Sequence, residues 1–545
     1  MILPLKLEWE PFYSLPEDVC ALQVGDRVLA PFAGHSYLGV VSAVDATPPY
    51  DMVRRVRPIY GPDPRKPHIF PSEIAFWRLV ADYYMCSVGE VYKAAYPSVK
   101  DEVVSARSKE REFVPMSSSL PFEVQDVRPG GAKTLVVSSP RSFEQLAGYA
   151  FEEASAGGSV LWLVPQMTLS KQLHERLEGI FGSRLMLWGS DMTPARKREV
   201  ARRVRGGEPY VVLGTRSALF LPHTKLSLVI VQGEHEPSYK QTSPAPRYNA
   251  RDAAVLLAGV HSSKVVLESP TPSFETLMNV ACGKFDSLFQ NGFHTPAVEI
   301  IDTRAEMRKR GMVGDVPRRL MAMLPAEAAR GGRVVALKPR RAAFPKLEDL
   351  SSQLSSLMPD AVLMDDQPDC VLPEDTSLLA IFGIDAMLGK QDFRADERAV
   401  QIIKNAFCRC PGLGKVVLVC RRGTHPVFDA VSSGNVDAML SERRDFCLPP
   451  FSRIVDVLVH DSLPSRLFAM KGALASKIAA AFSVSLLPSD KTDLVRVIPL
   501  EDGIRVILPR DRLLSGRKTL LRDTVASFEK ECKYPSHIFF DVDPL

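Results

Sequence analysis

The chain has 545 residues, too many for one hydrophobic core, so three or four domains are expected. Its 46% hydrophobic and 24% charged residues are those of a folded globular protein and exclude a disordered chain. A net charge of +4 permits nucleic-acid binding without demanding it.

The opening run MILPLKLEWE carries Lys6, Glu8 and Glu10 and lacks the basic start and apolar core of a secretory signal. No stretch of about 18 apolar residues occurs, so no membrane span and no membrane partner are expected. The nine cysteines are scattered and odd in number, which fits reduced thiols and a cytoplasmic location. Cys408 and Cys410 are one residue apart, unlike the CxxC pairs of zinc sites, so no metal is expected.

Residues 1–98 alternate as strands do: VGDRVLAPF and YLGVVSAVD form an expected hairpin around the loop AGHS. The period then turns helical in SEIAFWRLVADYYM. Residues 99–132 are charged, then rich in Ser, Pro and Gly, and read as a linker. From Thr134 the apolar runs TLVVSS, SVLWLVP, RLMLWGS, YVVLGT, LSLVIVQG and KVVLESP alternate with helical stretches such as SFEQLAGYAFEEA and ARKREVARRVR. That pattern implies a parallel sheet covered on both faces. A second block carries RVVALKP, AVLMDD, SLLAIFGID and KVVLVCRR. The last hundred or so residues run β-α-β-β-α-β, a ferredoxin-like order, with Asp502-Gly503 as the expected tight turn at positive φ.

Residues 211–252 read VVLGTRSALFLPHTKLSLVIVQGEHEPSYKQTSPAPRYNARD. This segment resembles the centre of the primosomal protein N′ family, the replication-restart helicases of superfamily 2. In that family GTRSA is followed by a strand ending DEEH, then SYKQ and RYxARD. FWRLVADYYMCSVGEVYKAAYP, TPSFETLMNVACGKF, IDAMLGKQDFRADERAVQ, RRDFCLPPFSRI and the closing DVDP extend the resemblance along most of the chain. It implies a multidomain α/β protein: a small, mostly-β N-terminal domain (1–98) like a 3′-DNA-binding domain, a linker (99–132), two RecA-like parallel-sheet lobes (133–290 and a truncated 291–440), and a ferredoxin-like α+β C-terminal domain (441–545).

The nucleotide chemistry departs from the family. A P-loop needs glycine-rich backbone N–H groups, a lysine for the phosphates and a hydroxyl for magnesium. Here the turn after TLVVSS is SSPRS, no glycine occurs from Thr134 to Ala147, and Phe143 and Glu144 fall where the family has Lys and Thr. The upstream PGGAK precedes the strand instead of following it and reads as a linker turn, while Ser139-Pro140 reads as a helix cap and first residue. The family's DEEH becomes QGEH: Gln232 supplies no charge to a metal and Gly233 polarises nothing, while Glu234 and His235 persist, the histidine as a locally packed loop residue. Motif III becomes ESPTPS, and QVAGRAGR becomes NAFCRCPG, keeping Arg409 but placing Gly412 at the finger-like arginine. No ATP, magnesium or other cofactor, and no catalytic residue, is therefore expected. The family's winged-helix and zinc modules have no room or no cysteines here.

The resemblance leaves DNA, forked or single-stranded, as the expected partner, with replication-restart proteins as further candidates. In EPFYSLP, Phe12 and Tyr13 stand at the family's 3′-end cluster without its acid; they either stack on bases or fill a small β core. Arg54, Arg55 and Arg57 either meet phosphates or form a solvated face. Tyr239, Lys240, Arg247, Tyr248 and Arg251 lie on the family's DNA-sensing loop and either contact DNA or pack between lobes. The alternatives to a DNA-binding protein are a protein-interaction scaffold of the replication machinery and an ATP-dependent helicase with an aberrant site.

Overall fold

Inward-facing Val28 and Ala30 and their neighbours build a three-stranded antiparallel sheet in the order His35–Val40, Arg27–Phe32, Gly61–Pro62. Ala33 (φ 49°) and Gly34 (φ 82°) make the hairpin turn, the left-handed pair that matches strand twist. The loop is therefore two residues, not the AGHS read from sequence: His35 and Ser36 pair with Phe32 and Pro31. Two helices close the domain. Pro71–Tyr84 starts on a proline, and the Glu73 carboxylate accepts from the Phe70 N–H at 2.9 Å. Val88–Ala95 is capped reciprocally by Ser87 and Glu90. Trp77 on the first helix stacks on Tyr92 of the second at 5.4 Å.

These elements come from a computed structural model of the chain. It describes residues 1–17, 19, 21–63, 65–97, 113–123, 133–166, 170–290, 296–309, 311–340, 342–357, 359–365, 372–373, 375–388, 392–409, 412–484, 495–532 and 537–545. Most of the expected linker, the PGGA of PGGAK, Cys370, and the Cys410-Pro411 pair lie outside these residues. No described helix is long and apolar enough to cross a membrane.

The first lobe is a seven-stranded parallel sheet in the order Asp286–Phe289, Thr134–Ser138, Lys264–Glu268, Leu226–Gln232, Ser159–Leu163, Val211–Gly214, Leu185–Trp188. The second is a five-stranded parallel sheet: Ala297–Asp302, Lys415–Cys420, Thr376–Phe382, Arg333–Lys338, Val362–Asp365. Both are RecA-like α/β lobes. Residues 113–123, expected to be linker, are docked on the first lobe instead. Ser117 N–H donates to the Ile180 carbonyl and Ser183 N–H to the Val114 carbonyl, both at 2.9 Å.

The last sheet is antiparallel, ordered Arg496–Pro499, Gly503–Pro509, Ser452–His460, His537–Val542, with helices Pro464–Phe482 and Leu514–Glu531. That is the ferredoxin-like arrangement. The turn differs from expectation: neither Asp502 nor Gly503 has positive φ, and Leu500–Asp502 make a three-residue connection. Glycine is required at 503 for closeness, since a Cβ there would sit 2.3 Å from the Val457 carbonyl oxygen.

The helix Pro71–Tyr84 joins three units. Tyr84 exchanges hydrogen bonds with the Asn249 backbone (3.0 and 3.2 Å), and Lys518 donates to the carbonyls of Asp82 and Tyr83. The Arg453 guanidinium lies 4.3 Å over Tyr83.

The same substitution at two glycines has opposite signs. Gly503→Ala should destabilise by about 1–3 kcal/mol through overpacking. Gly472→Ala, on an exposed helix position with open space around it, should stabilise by about 0.5–1 kcal/mol. Urea midpoints of the two variants test both.

Candidate nucleic-acid interface and the cleft between the lobes

The strand Thr134–Ser138 ends in Ser139, whose hydroxyl donates to Gln290 Oε1 at 2.7 Å and accepts from the Arg141 N–H at 3.1 Å. The helix begins at Ser142 with Arg141 as its cap residue, so Ser139-Pro140 are not the helix start the sequence suggested. Phe143, in the first turn, packs against Trp162 (centroids 6.4 Å) and Phe122 (5.9 Å), and the Arg176 guanidinium lies 3.4 Å over its ring. Trp162 Nε1 in turn donates to Gln232 Oε1 at 2.9 Å. Phe143 and Gln232, from two distant stretches of sequence, are thus tied to one indole.

Gln232 is followed by Gly233 in the left-handed region (φ 67°), whose N–H donates to Glu268 Oε2 at 3.0 Å. Burial pushes the Glu268 carboxyl above its ordinary range, against the Gly233 hydrogen bond. His235 is not packed locally as expected. Its Nδ1 lies 2.7 Å from Ser269 Oγ and its Nε2 2.7 Å from the Asn405 amide of the second lobe, whose Oδ1 accepts from Thr271 Oγ1. An amide NH₂ only donates, so Nε2 is the acceptor and the ring proton sits on Nδ1.

A buried chain of charge crosses between the lobes. Glu234 accepts from the Ser273 N–H (2.6 Å) and from Arg251 (3.3 Å). Arg251 faces Glu275, which pairs with Arg394 at 2.7 Å. Glu397 accepts from the Phe274 N–H and from Arg443 (3.1 Å). Burial pushes Glu275 up, but Arg394, Arg251 and Arg443 outweigh it and hold the carboxyl well below the usual range.

The loop expected to sense DNA is occupied by the fold. Tyr239 is buried and donates to the Gln232 carbonyl at 2.6 Å; Tyr248 is buried and donates to the Arg216 carbonyl at 3.2 Å. Lys240 is 3% exposed, lies 2.7 Å from Asp541, and donates to the carbonyls of Arg247 and Val542. Burial pulls this ammonium below its ordinary range and pushes Asp541 up, each opposed by the other's charge. Arg247 lies 3.7 Å from Asp541 and over Phe539, and Arg251 belongs to the buried charge chain. Of these five, Tyr239, Lys240, Tyr248 and Arg251 are buried, and Arg247 is held against the C-terminal domain.

The N-terminal domain presents the opposite picture. Arg54 and Arg57 are exposed, whereas the Arg55 side chain lies outside the described set. Strand Tyr13–Ser14 pairs with Arg57–Pro58, which sets Tyr13 beside Arg57. Tyr13 donates to the Pro31 carbonyl at 3.0 Å and burial raises its hydroxyl to about 12, so it serves the small core; Phe12 is half-buried. Tyr50, 97% exposed, and Tyr60, 64% exposed, flank the arginines along the chain and are absent from the sequence-based site. Their only signal there is two tyrosines bracketing an arginine cluster.

Residues 1–97 match the family model described as the 3′DNA-binding domain of PriA. The Rickettsia conorii replication restart protein PriA is 29% identical over 328 residues, covering 56% of this chain and 48% of that protein. The chain is a PriA-like protein. The Bacillus subtilis PriA is 34% identical over 189 residues, covering 34% of this chain and 23% of its own length. This PriA-like chain thus spans about half the length, or less, of the curated relatives it matches. Among solved structures it is similar to RecG bound to a three-way DNA junction (TM-score 0.36, 12% identity, 58% of this chain and 44% of that one). It is also similar to the Mycobacterium smegmatis helicase Lhr bound to ssDNA and AMP-PNP (TM-score 0.35, 14% identity, 72% and 58%).

Two carboxamide substitutions should titrate oppositely. Glu275→Gln leaves buried arginines short of charge and should cost about 3–5 kcal/mol at neutral pH. Because its folded carboxyl is depressed, that stability is present above the unfolded value near 4.3 and is lost as pH falls, so the deficit narrows in acid. Glu268 is raised, so the parent loses stability as pH climbs past the unfolded value; Glu268→Gln should equal the parent near pH 4 and exceed it at pH 7. Urea melts across pH 4–8 check both signs.

Proposed function

We propose that this chain binds single-stranded or forked DNA through its N-terminal domain and does not hydrolyse ATP. The observation that carries the second half is the Phe143–Trp162–Gln232 cluster. A triphosphate with its magnesium needs cationic and N–H donors on one side and a carboxylate on the metal. In this chain an aromatic ring and a neutral amide, both engaged by the same indole, stand at those two points of the motif. For the first half, support comes from the match of residues 1–97 and from exposed Arg54, Arg57, Tyr50 and Tyr60, a combination of cations and open aromatic faces suited to a flexible strand.

On this reading the domains divide near residues 98, 132, 290 and 440, the lobes act as a fixed frame, and the protein works in the cytoplasm beside other replication-restart proteins. Burial of Tyr239, Lys240 and Tyr248 favours a frame over a moving DNA-sensing loop. If DNA is not bound at all, the scaffold reading takes its place.

Fluorescence anisotropy on a forked oligonucleotide should show affinity that falls with salt and is unchanged by ATP and magnesium. Arg54→Ala with Arg57→Ala should weaken binding uniformly across sequences and reduce the salt slope by about 1 for each phosphate no longer neutralised. DNA-stimulated phosphate release that Gln232→Ala abolishes would overturn the non-hydrolytic assignment. Absence of binding in low salt would overturn the DNA assignment.

A further inference from the structure

Apolar packing divides the molecule into two bodies. One continuous core takes Trp77 and Tyr92 from the N-terminal domain, Val229 and Leu257 from the first lobe, and Val457 and Leu474 from the C-terminal domain. Across one of its seams Phe76 meets Phe220 at 5.4 Å. The second lobe keeps two cores of its own. Among the described residues, the side chains from outside that lobe packed into them are Phe274 and Leu277, both on the short helix Phe274–Ala281. The chain runs from the first lobe into the second and from there into the C-terminal domain, so the second lobe is an insertion into the larger body.

What holds the inserted lobe is largely polar. The start of the helix Phe274–Ala281 is shared between carboxylates of both lobes: the Ser273 N–H donates to Glu234 Oε1 at 2.6 Å, and the Phe274 N–H to Glu397 Oε1 at 2.9 Å. Glu275, next along, faces Arg251 and Asp252 of the first lobe and Arg394 and Arg443 of the second. Glu397 faces Arg394 and Arg443, and Glu234 faces Arg251. From the C-terminal domain, the Pro544 carbonyl accepts from Arg394, and Asp543 favours its charge. His235 reaches Asn405 as a neutral ring, with Glu236 3.6 Å from its Nε2.

Protons act on the two kinds of joint with opposite sign. Burial pushes Glu275 up, but the guanidiniums outweigh it and depress the carboxyl. Its contribution is therefore complete above the unfolded value of about 4.3 and is lost as pH falls through the folded one. Once protonated, it leaves Arg394 and Arg251 buried beside a neutral group. Within the larger body the signs reverse. Glu73 lies 3.7 Å from Arg205 between the N-terminal domain and the first lobe, and Asp541 lies 2.7 Å from Lys240 between the first lobe and the C-terminal domain. Burial raises both carboxyls, so their contributions are complete in acid and fall as pH climbs. Acid spares those joints.

We infer that the contact around Ser273, Phe274 and Glu275 is an acid-sensitive latch: lowering the pH frees the second lobe as a folded unit while the other three units stay together as one body. The apolar seams carry no titrating group and keep the larger body closed. The latch, by contrast, alternates charge, and one added proton unbalances every guanidinium that faces Glu275. Release needs neither DNA nor nucleotide.

The test follows the full chain from about pH 7 to about pH 3 by small-angle X-ray scattering, far-ultraviolet circular dichroism and amide exchange corrected for intrinsic rate. The expected result is a radius of gyration that rises below about pH 4 with the dichroism unchanged, and early loss of protection at Ser273 and Phe274. Glu275→Gln should be expanded already near neutrality, with exchange at Phe274 faster on the order of a hundredfold. Glu531→Gln, at an exposed pair, should follow the parent. Phe76→Ala, in an apolar seam, should leave the pH of expansion where it is. Should Glu275→Gln fail to fold, the parent's own titration decides. Expansion that coincides with loss of dichroism would mean whole-chain unfolding and overturn the latch, as would a chain that stays compact to about pH 3. Expansion cancelled by about 0.5 M salt would be general charge repulsion and would overturn it too.

Discussion

The lobes are held by alternating buried charge: Glu234, Arg251, Glu275, Arg394, Glu397 and Arg443. Taking six ionised groups out of water is expensive, and only complete pairing offsets it. The links join separate stretches of chain, so partial separation of the lobes would strand a buried guanidinium or carboxylate. The arrangement is close to all-or-none. His235 reinforces it with a neutral relay, since its ring joins Ser269 on one lobe to Asn405 on the other.

The SYKQ…RYNARD segment likewise ties the domains together. Lys240 links the first lobe to the C-terminal domain through Asp541 and the Val542 carbonyl, and Tyr84 links the N-terminal domain to the Asn249 backbone. Arg453 and Lys518 approach Tyr83 from the C-terminal domain. Tyr83 and Tyr84, adjacent on one helix, thus receive cations from the C-terminal domain on one side and from the first lobe on the other. Removing the loop's charged residues would leave Asp541 buried and unpaired. Its residue identities are fixed by assembly of the domains, whatever happens at the cleft.

Which features can be read in advance follows from how far each signal reaches along the chain. Strands buried on both faces are continuous apolar runs, and TLVVSS, LSLVIVQG and KVVLVC are plain for that reason. Asp286–Phe289 and Ala297–Asp302 are edge strands with half-exposed faces, so their apolar content is diluted and the sequence does not announce them. The C-terminal topology is legible because both its helices and three of its strands are long and clearly periodic. The site is less so. Lys240, Arg251 and Glu275 look like surface charges because their partners lie elsewhere in sequence, and burial of a charge is decided by those partners. Conversely Tyr50 and Tyr60 look like ordinary core aromatics, and only the tertiary structure leaves them outside. The segment 113–123, polar by composition, docks through Met116, Leu120 and Phe122, too few residues to leave a pattern.

The aromatic and amide contacts beside the cleft form a set. Phe143 is positioned by Phe122, Trp162 and the Arg176 guanidinium, and Trp162 is satisfied by Gln232. Replacing Phe143 with alanine would remove the contacts with Phe122 and Trp162 and take the ring from under the Arg176 guanidinium. Replacing Gln232 with alanine would leave the buried Trp162 N–H without its acceptor, at a cost of about 1–3 kcal/mol. The two contacts meet on one indole, so a change at either position reaches the other. This end of the first lobe is held by the same aromatic and amide contacts that hold any core.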